Sequence, residues 1–216
     1  EQDINEFLSS VDFEILLSIF SGVRRSFEAL CIALPKYTGD TNGLPEEYIN
    51  SCIRILGELQ RIKGTKYGVH DNSIPKKIKN YTKEVLRKQL NRAPKSDEIN
   101  DYLEKLKALS FFQANKYLIT GNDISLYKLE NDAKVYKCSR CNVIHLHGSC
   151  GVCTNCFSID KLEEVSLSDA LYYTDGYYSH IMNNFEPMRL HCEELSAQTD
   201  YKDALIRQRY FQNLFN

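Results

Sequence analysis

The run KVYKCSRCNVIHLHGSCGVCTNCF, residues 134–157, decides how the rest of the chain is read. Five of the eight cysteines (Cys138, Cys141, Cys150, Cys153 and Cys156) fall within 19 residues here, while Cys31, Cys52 and Cys192 stand apart in apolar or strand-like surroundings. Two residues between cysteines let both thiolates turn toward one ion from a tight knuckle, and four thiolates complete the tetrahedral shell of a structural Zn²⁺. Cys138-x-x-Cys141 is one pair; the second is either Cys150-x-x-Cys153 or Cys153-x-x-Cys156. The second choice is preferred, because its longer spacer lets VIHLH, which alternates like a β-strand, cross and return between the knuckles as in a zinc ribbon. The expected ligands are therefore Cys138, Cys141, Cys153 and Cys156, with Cys150 a bystander or fallback, and with His145 and His147 as rivals for one position. Four protein ligands leave no open site for a catalytic water, so the ion is structural.

Other uses of these cysteines fit less well. A disulfide scaffold belongs to secreted chains, and the opening EQDINEFLSS is acidic and polar rather than signal-like. A redox CxxC opens a helix after a strand, whereas these pairs sit among Gly, Ser and Asn. Zinc deaminases combine H-x-E with P-C-x-x-C; His191-Cys192-Glu193 satisfies the first element but follows the cysteines, and no proline precedes any CxxC. The chain also lacks a GxxxxGK[ST] phosphate loop, a GxGxxG turn and a GxSxG elbow, and so shows no recognisable catalytic machinery.

Outward from the cysteines, the N-terminal half reads as helical. From Asp12 to Leu34, Ile15, Leu16, Ile19, Phe20, Val23, Phe27, Leu30 and Cys31 recur at helical steps, with Asp12 as N-cap. A second helix starts around Pro45, buries Tyr48, Ile49, Cys52, Ile53, Leu56 and Leu59, and ends near Gly64. A third runs from a Ser73 cap and Pro75 to Asn91 with Ile78, Tyr81, Val85, Leu86 and Leu90 inward, and a fourth from a Ser96 cap buries Ile99, Tyr102, Leu103, Leu106 and Leu109. After Ser110, KYLIT and ISLYKL flank the turn residues GND and predict a hairpin; two helices and a hairpin suggest a winged-helix-like module over 73–130. The Tyr-rich residues 168–185 precede a strand-like MRLHCEEL and a final helix, an order that would open an α/β domain. The expected class is mainly α with small β parts, α+β: a helical region over 1–72, the module at 73–130, a zinc ribbon at 134–160, and a truncated β-α unit at 168–216. Starting at Glu1 without Met, and ending at Asn216 in a helical pattern, the chain reads as a piece of a longer one.

The 216 residues carry 43% hydrophobic and 26% charged side chains, enough to bury a core, and no run nears the roughly 18 apolar residues of a membrane span. A soluble, cytoplasmic chain with no membrane partner is expected. The net charge of −2 hides a segregation: from Arg54 to Lys95 twelve cations face three anions, a net of +9, so the remainder carries −11. With Tyr67 and Tyr81 interleaved, that segment has the make-up of a phosphate-contacting surface, for which Lys76, Lys77, Lys79, Lys83, Arg87 and Lys88 are the candidates.

Three stretches resemble one family. RILGELQRIKGTKYGVHDNSIPKKIKNYTKEV, CSRCNVIHLHGSCGVCTNC and RLHCEELSAQTDYKDALIRQRYFQNLF are similar to the region between the two motor domains of large DEAD/DEAH-box helicases of bacterial phage-defence islands, DISARM- and Druantia-like. The resemblance covers most of residues 50–216 and implies that 168–216 begin the second RecA-like domain. His191, Glu193, Glu194, Gln198 and Thr199 would then lie near the nucleic-acid strand, with Arg207 and Arg209 on the following helix. It implies DNA and the remaining helicase domains as partners and a role in antiphage defence. ATP and Mg²⁺ would be used only by the parent protein, since the first RecA-like domain is not in this chain. The rival readings are a stand-alone winged-helix and zinc-ribbon nucleic-acid-binding module, and an adaptor whose basic patch meets an acidic protein.

Overall fold

The computed structural model describes residues 11, 14–20, 26–63, 73–113, 117–130 and 132–174, all within the first of two compact units, Glu1–Asp175. The Asp12 cap, Lys66, Tyr67, Asp71, the strand and final helix expected after residue 185, and every candidate from His191 onward lie outside the described residues. The class is α+β: helices α1 (Glu46–Glu58), α2 (Lys76–Leu90), α3 (Ser96–Lys107) and α4 (Leu167–Thr174), with a two-stranded and a three-stranded antiparallel sheet. No helix among the described residues is long and apolar enough to cross a membrane.

Helix α1 is the hub. Pro45 precedes it in extended conformation, Glu46 and Glu47 favour the positive end of its dipole, and every residue from Tyr48 to Gly57 is buried. A helix apolar on one face alone would show water the other; α1 is instead covered on all sides. Its ring contacts set the neighbours: Tyr48 stacks on Tyr81 of α2 at 5.9 Å and meets Tyr102 of α3 edge-on at 5.5 Å. On the other side residues 14–20 are helical, and a Cβ at Gly57 would lie 1.8 Å from the Phe20 carbonyl oxygen. Backbone cannot yield as a side chain can, so Gly57→Ala is expected to cost roughly 2–3 kcal/mol, an overpacking penalty readable as a lower urea midpoint. An unchanged midpoint would show that the two segments are not in this contact.

The expected first helix does not run to Leu34. Cys31 adopts a φ of 55° and Ala33–Tyr37 form strand β1. Pro35, which has no N–H and steers its predecessor away from helical angles, is the physical reason. Likewise α1 stops at Glu58 rather than near Gly64, because Gln60 turns at φ 54° and delivers Arg61 and Lys63 to the backbone of Ile119. Helix α2 ends as expected at Asn91, whose φ of 51° makes the left-handed cap.

The expected hairpin between KYLIT and ISLYKL does not form. The Ile119 N–H donates to Arg61 O and its carbonyl accepts from Lys63 N, each at 2.9 Å, so its backbone is already engaged. Tyr117, Leu118 and Ile119 are all buried, as core filling requires and an alternating strand does not. Strand β2 (Ile124–Lys128) pairs instead with β1, from Ala33↔Lys128 to Tyr37↔Ile124.

Downstream, β3 (Lys134–Cys138) lies between β4 (Ile144–His145) and β5 (Leu162–Ser166). A small core of Cys31, Val135, Leu146, Leu167 and Ala170 sits under this sheet, while Val152 belongs to the main core with α1 and α2. The cysteine-rich unit is therefore packed on the helices rather than hung from them.

Candidate metal centre and basic surface

Each knuckle is built by the same backbone pattern. In the first, Cys138 N–H donates to Val143 O at 2.9 Å and Cys138 O accepts from Asn142 N at 2.8 Å, with Asn142 at φ 59°. In the second, Cys153 N–H donates to Ser158 O at 3.1 Å and Cys153 O accepts from Phe157 N at 3.0 Å, with Phe157 at φ 57°. The two turns face each other and bring the Sγ atoms of Cys138, Cys141, Cys153 and Cys156 within 4.8 Å of one another.

The thiols fit a metal ion. Cys138 and Cys156 Sγ are 3.7 Å apart and Cys141 and Cys153 Sγ 3.5 Å; tetrahedral coordination at 2.3 Å sets neighbouring sulfurs about 3.8 Å apart. Partial burial opposes ionisation of Cys138, but hydrogen bonds from the Ser158 hydroxyl and from the N–H groups of Cys141 and Arg140 outweigh it and hold its pKa down to about 6. Cys156 is lowered against burial by similar bonds, chiefly from the Ser158 side chain and backbone. All seven described cysteines are free thiols.

Cys150, His145 and His147 stand outside the cluster. Cys150 sits in the 3₁₀ turn Ser149–Gly151, and its N–H donates to Glu47 Oε2 at 2.8 Å. His147 accepts the Ser149 N–H at 3.1 Å; burial first, then Arg54 and Lys36, push its pKa down to about 3. His145 is fully buried, with Nδ1 3.4 Å from Arg54, so the proton falls to Nε2. Burial, then Arg54 and His147, hold that ring neutral.

The cysteine-rich unit is fastened to the helices by polar bonds. Ser149 Oγ meets Ser51 Oγ at 2.8 Å, and Tyr81 OH donates to Ser149 O at 3.0 Å. Arg54, counted in the sequence among the surface cations, is 7% exposed: it bonds Glu28 at 2.7 Å, Glu58 at 3.2 Å and the Ile144 carbonyl at 2.9 Å. Burial opposes its charge, and the two carboxylates more than offset this and raise its pKa. Glu58 also takes Lys77, closing a neutral chain Glu28–Arg54–Glu58–Lys77. The i,i+4 placement of Glu58 relative to Arg54, inside an apolar run, was the signal that could have revealed this.

Of the six α2 candidates, Lys77 is thus engaged by Glu58, Arg87 is 3.5 Å from Glu84, and Lys88 is 2.6 Å from Asp160. Lys76, Lys79 and Lys83 are exposed and have no acidic partner among the described residues. At 100° per residue, Lys76, Lys79, Lys83 and Arg87 fall within an arc of about 80° and span about 16 Å, one stripe opposite the buried Ile78, Tyr81 and Val85. Comparison of the chain with protein-family models, with curated proteins and with solved structures found no match.

Proposed function

We propose that the chain is a nucleic-acid-binding accessory region stapled by a structural Zn²⁺ on Cys138, Cys141, Cys153 and Cys156, and that its parent is an ATP-dependent DNA helicase of antiphage defence. The observation that carries the binding is the stripe of Lys76, Lys79 and Lys83, cations that no described carboxylate neutralises while their neighbours on α2 are engaged. Such a row displaces condensed counterions whatever the bases are, so recognition is of backbone rather than sequence. The helicase assignment is supported by the sequence resemblance over residues 50–216. Within it α2 and α3 are a helical pair without the hairpin of a winged helix, and a RecA-like start would begin after α4, whose Leu167 and Ala170 pack in the small core under the three-stranded sheet. Zinc is favoured over other ions by four thiolates in two CxxC knuckles.

Fluorescence-anisotropy titration with a labelled oligonucleotide tests the binding. With about four cations on phosphate, log affinity should fall against log salt with a slope of roughly −3 to −4. Lys76→Glu, Lys79→Glu and Lys83→Glu together should remove most of the affinity; Lys77 is left intact because its reversal would set like charges beside Glu58. No binding at about 50 mM salt, or an affinity indifferent to salt and to the triple change, would overturn the reading.

A further inference from the structure

Lys83 and Arg87 belong to a second feature as well as to the stripe. The C-terminal end of α2 and the segment following the second knuckle enclose a groove of about 480 Å³ walled by Lys83, Arg87, Lys88, Asn91, Arg92 and Asp160. Four cations and one carboxylate line it. Arg92 is held by both oxygens of Glu98 and Arg87 lies 3.5 Å from Glu84, so Lys83 is the lining cation with no described acidic partner and Lys88 the one whose partner, Asp160, also lines the cleft. Lys88 is stretched across the ribbon: a Cβ at Gly151 would meet its ammonium at 1.7 Å, and Asp160 Oδ1 receives that ammonium at 2.6 Å. Asp160 itself sits at φ 52° with its side chain 69% exposed, so this ion pair is solvent-screened and easily exchanged for another anion.

Building on the nucleic-acid reading, we infer that a strand following the Lys76–Arg87 stripe passes into this groove, where a backbone phosphate replaces Asp160 on Lys88. The cleft continues the stripe in line, since Lys83 and Arg87 are shared between them, and it is the place where the ribbon rather than a helix meets the strand. Asp160 then acts as a competing anion that weakens binding when the groove is empty. The ribbon's contribution is steric and electrostatic, through Gly151 beneath Lys88 and Asp160 beside it.

The inference predicts a gain. Asp160→Asn removes one negative charge within about 5 Å of the phosphate and should tighten oligonucleotide binding by about fourfold at low salt. Asp101→Asn, a charge removed from exposed α3 away from the groove, should leave it unchanged. Ala93→Glu, which sets a carboxylate into the groove lining, should weaken binding by a similar factor. Equal gains from Asp160→Asn and Asp101→Asn would overturn the inference, as would no response to either groove variant while the Lys76, Lys79, Lys83 triple change still abolishes binding. That last pattern leaves the nucleic-acid reading standing, whereas an unaltered chain that binds no oligonucleotide removes both. Inorganic phosphate competing beyond its ionic-strength effect would mark a site for a free anion instead of a strand, and would also overturn it.

Discussion

Cys138→Ser, Cys141→Ser, Cys153→Ser or Cys156→Ser is expected to abolish stoichiometric metal binding and to unfold the cysteine-rich unit, while Cys150→Ser retains a full equivalent of metal. The four Sγ atoms that lie within 4.8 Å of one another exclude Cys150, whose backbone is held by Glu47 instead. The effect is large because the small core beneath the sheet consists of Cys31, Val135, Leu146, Leu167 and Ala170, too few to hold it unaided. Structural zinc contributes on the order of 10 kcal/mol to such units. Elemental analysis together with thermal unfolding of each variant checks this. Retention of metal by Cys156→Ser and its loss from Cys150→Ser would reassign the second pair.

The second large effect is expected at Arg54. Arg54→Ala removes the partner of Glu28, itself 7% exposed, and leaves the Ile144 carbonyl without its donor. A buried charge stripped of its counter-ion costs about 3–5 kcal/mol, against a total stability of about 5–15 kcal/mol for a domain. Adding Glu28→Gln removes the stranded charge and should restore part of the loss, a coupling that a double-mutant cycle in urea measures directly. A loss below about 1 kcal/mol for the single change would show that Glu28 is hydrated or protonated without Arg54.

The parts of the fold that were legible in the sequence are those fixed by neighbours along the chain. The CxxC spacings brought Cys138, Cys141, Cys153 and Cys156 into one reading because each knuckle closes within six residues, and the structure gathers those four. Helices α2 and α3 follow from three- and four-residue apolar steps, and Asn91 marks a stop by its tolerance of left-handed angles. What was misread depends on distant partners. Leu30, Cys31 and Leu34 satisfy a helical period, and only Pro35 hinted that the chain straightens into β1, whose partner β2 lies far down the sequence. KYLIT looks like a strand by composition, but its backbone is spent on Arg61 and Lys63. A charge count cannot tell Arg54, in an interior chain of four charges, from Lys79 at the surface, because burial is decided by residues such as Glu28 and Ile144 that meet it only in three dimensions.

The β1–β2 pairing ties Ala33 to Lys128, and so gathers α1, α2 and α3 inside one long loop of chain. Closing a loop of this length carries an entropic cost of about 4 kcal/mol, while the contacts among the three helices span much shorter separations. The helices therefore have a shorter route to one another than the strands have, and the two-stranded sheet is expected to form after them, as a clasp on the helical body. The clasp also places Tyr37, buried and 5.2 Å from Phe111, as the plug on one end of that body. Loss of β1 would open the main core at the Tyr37–Phe111 contact and also take Leu34 from the small core under the three-stranded sheet, so one strand serves both cores.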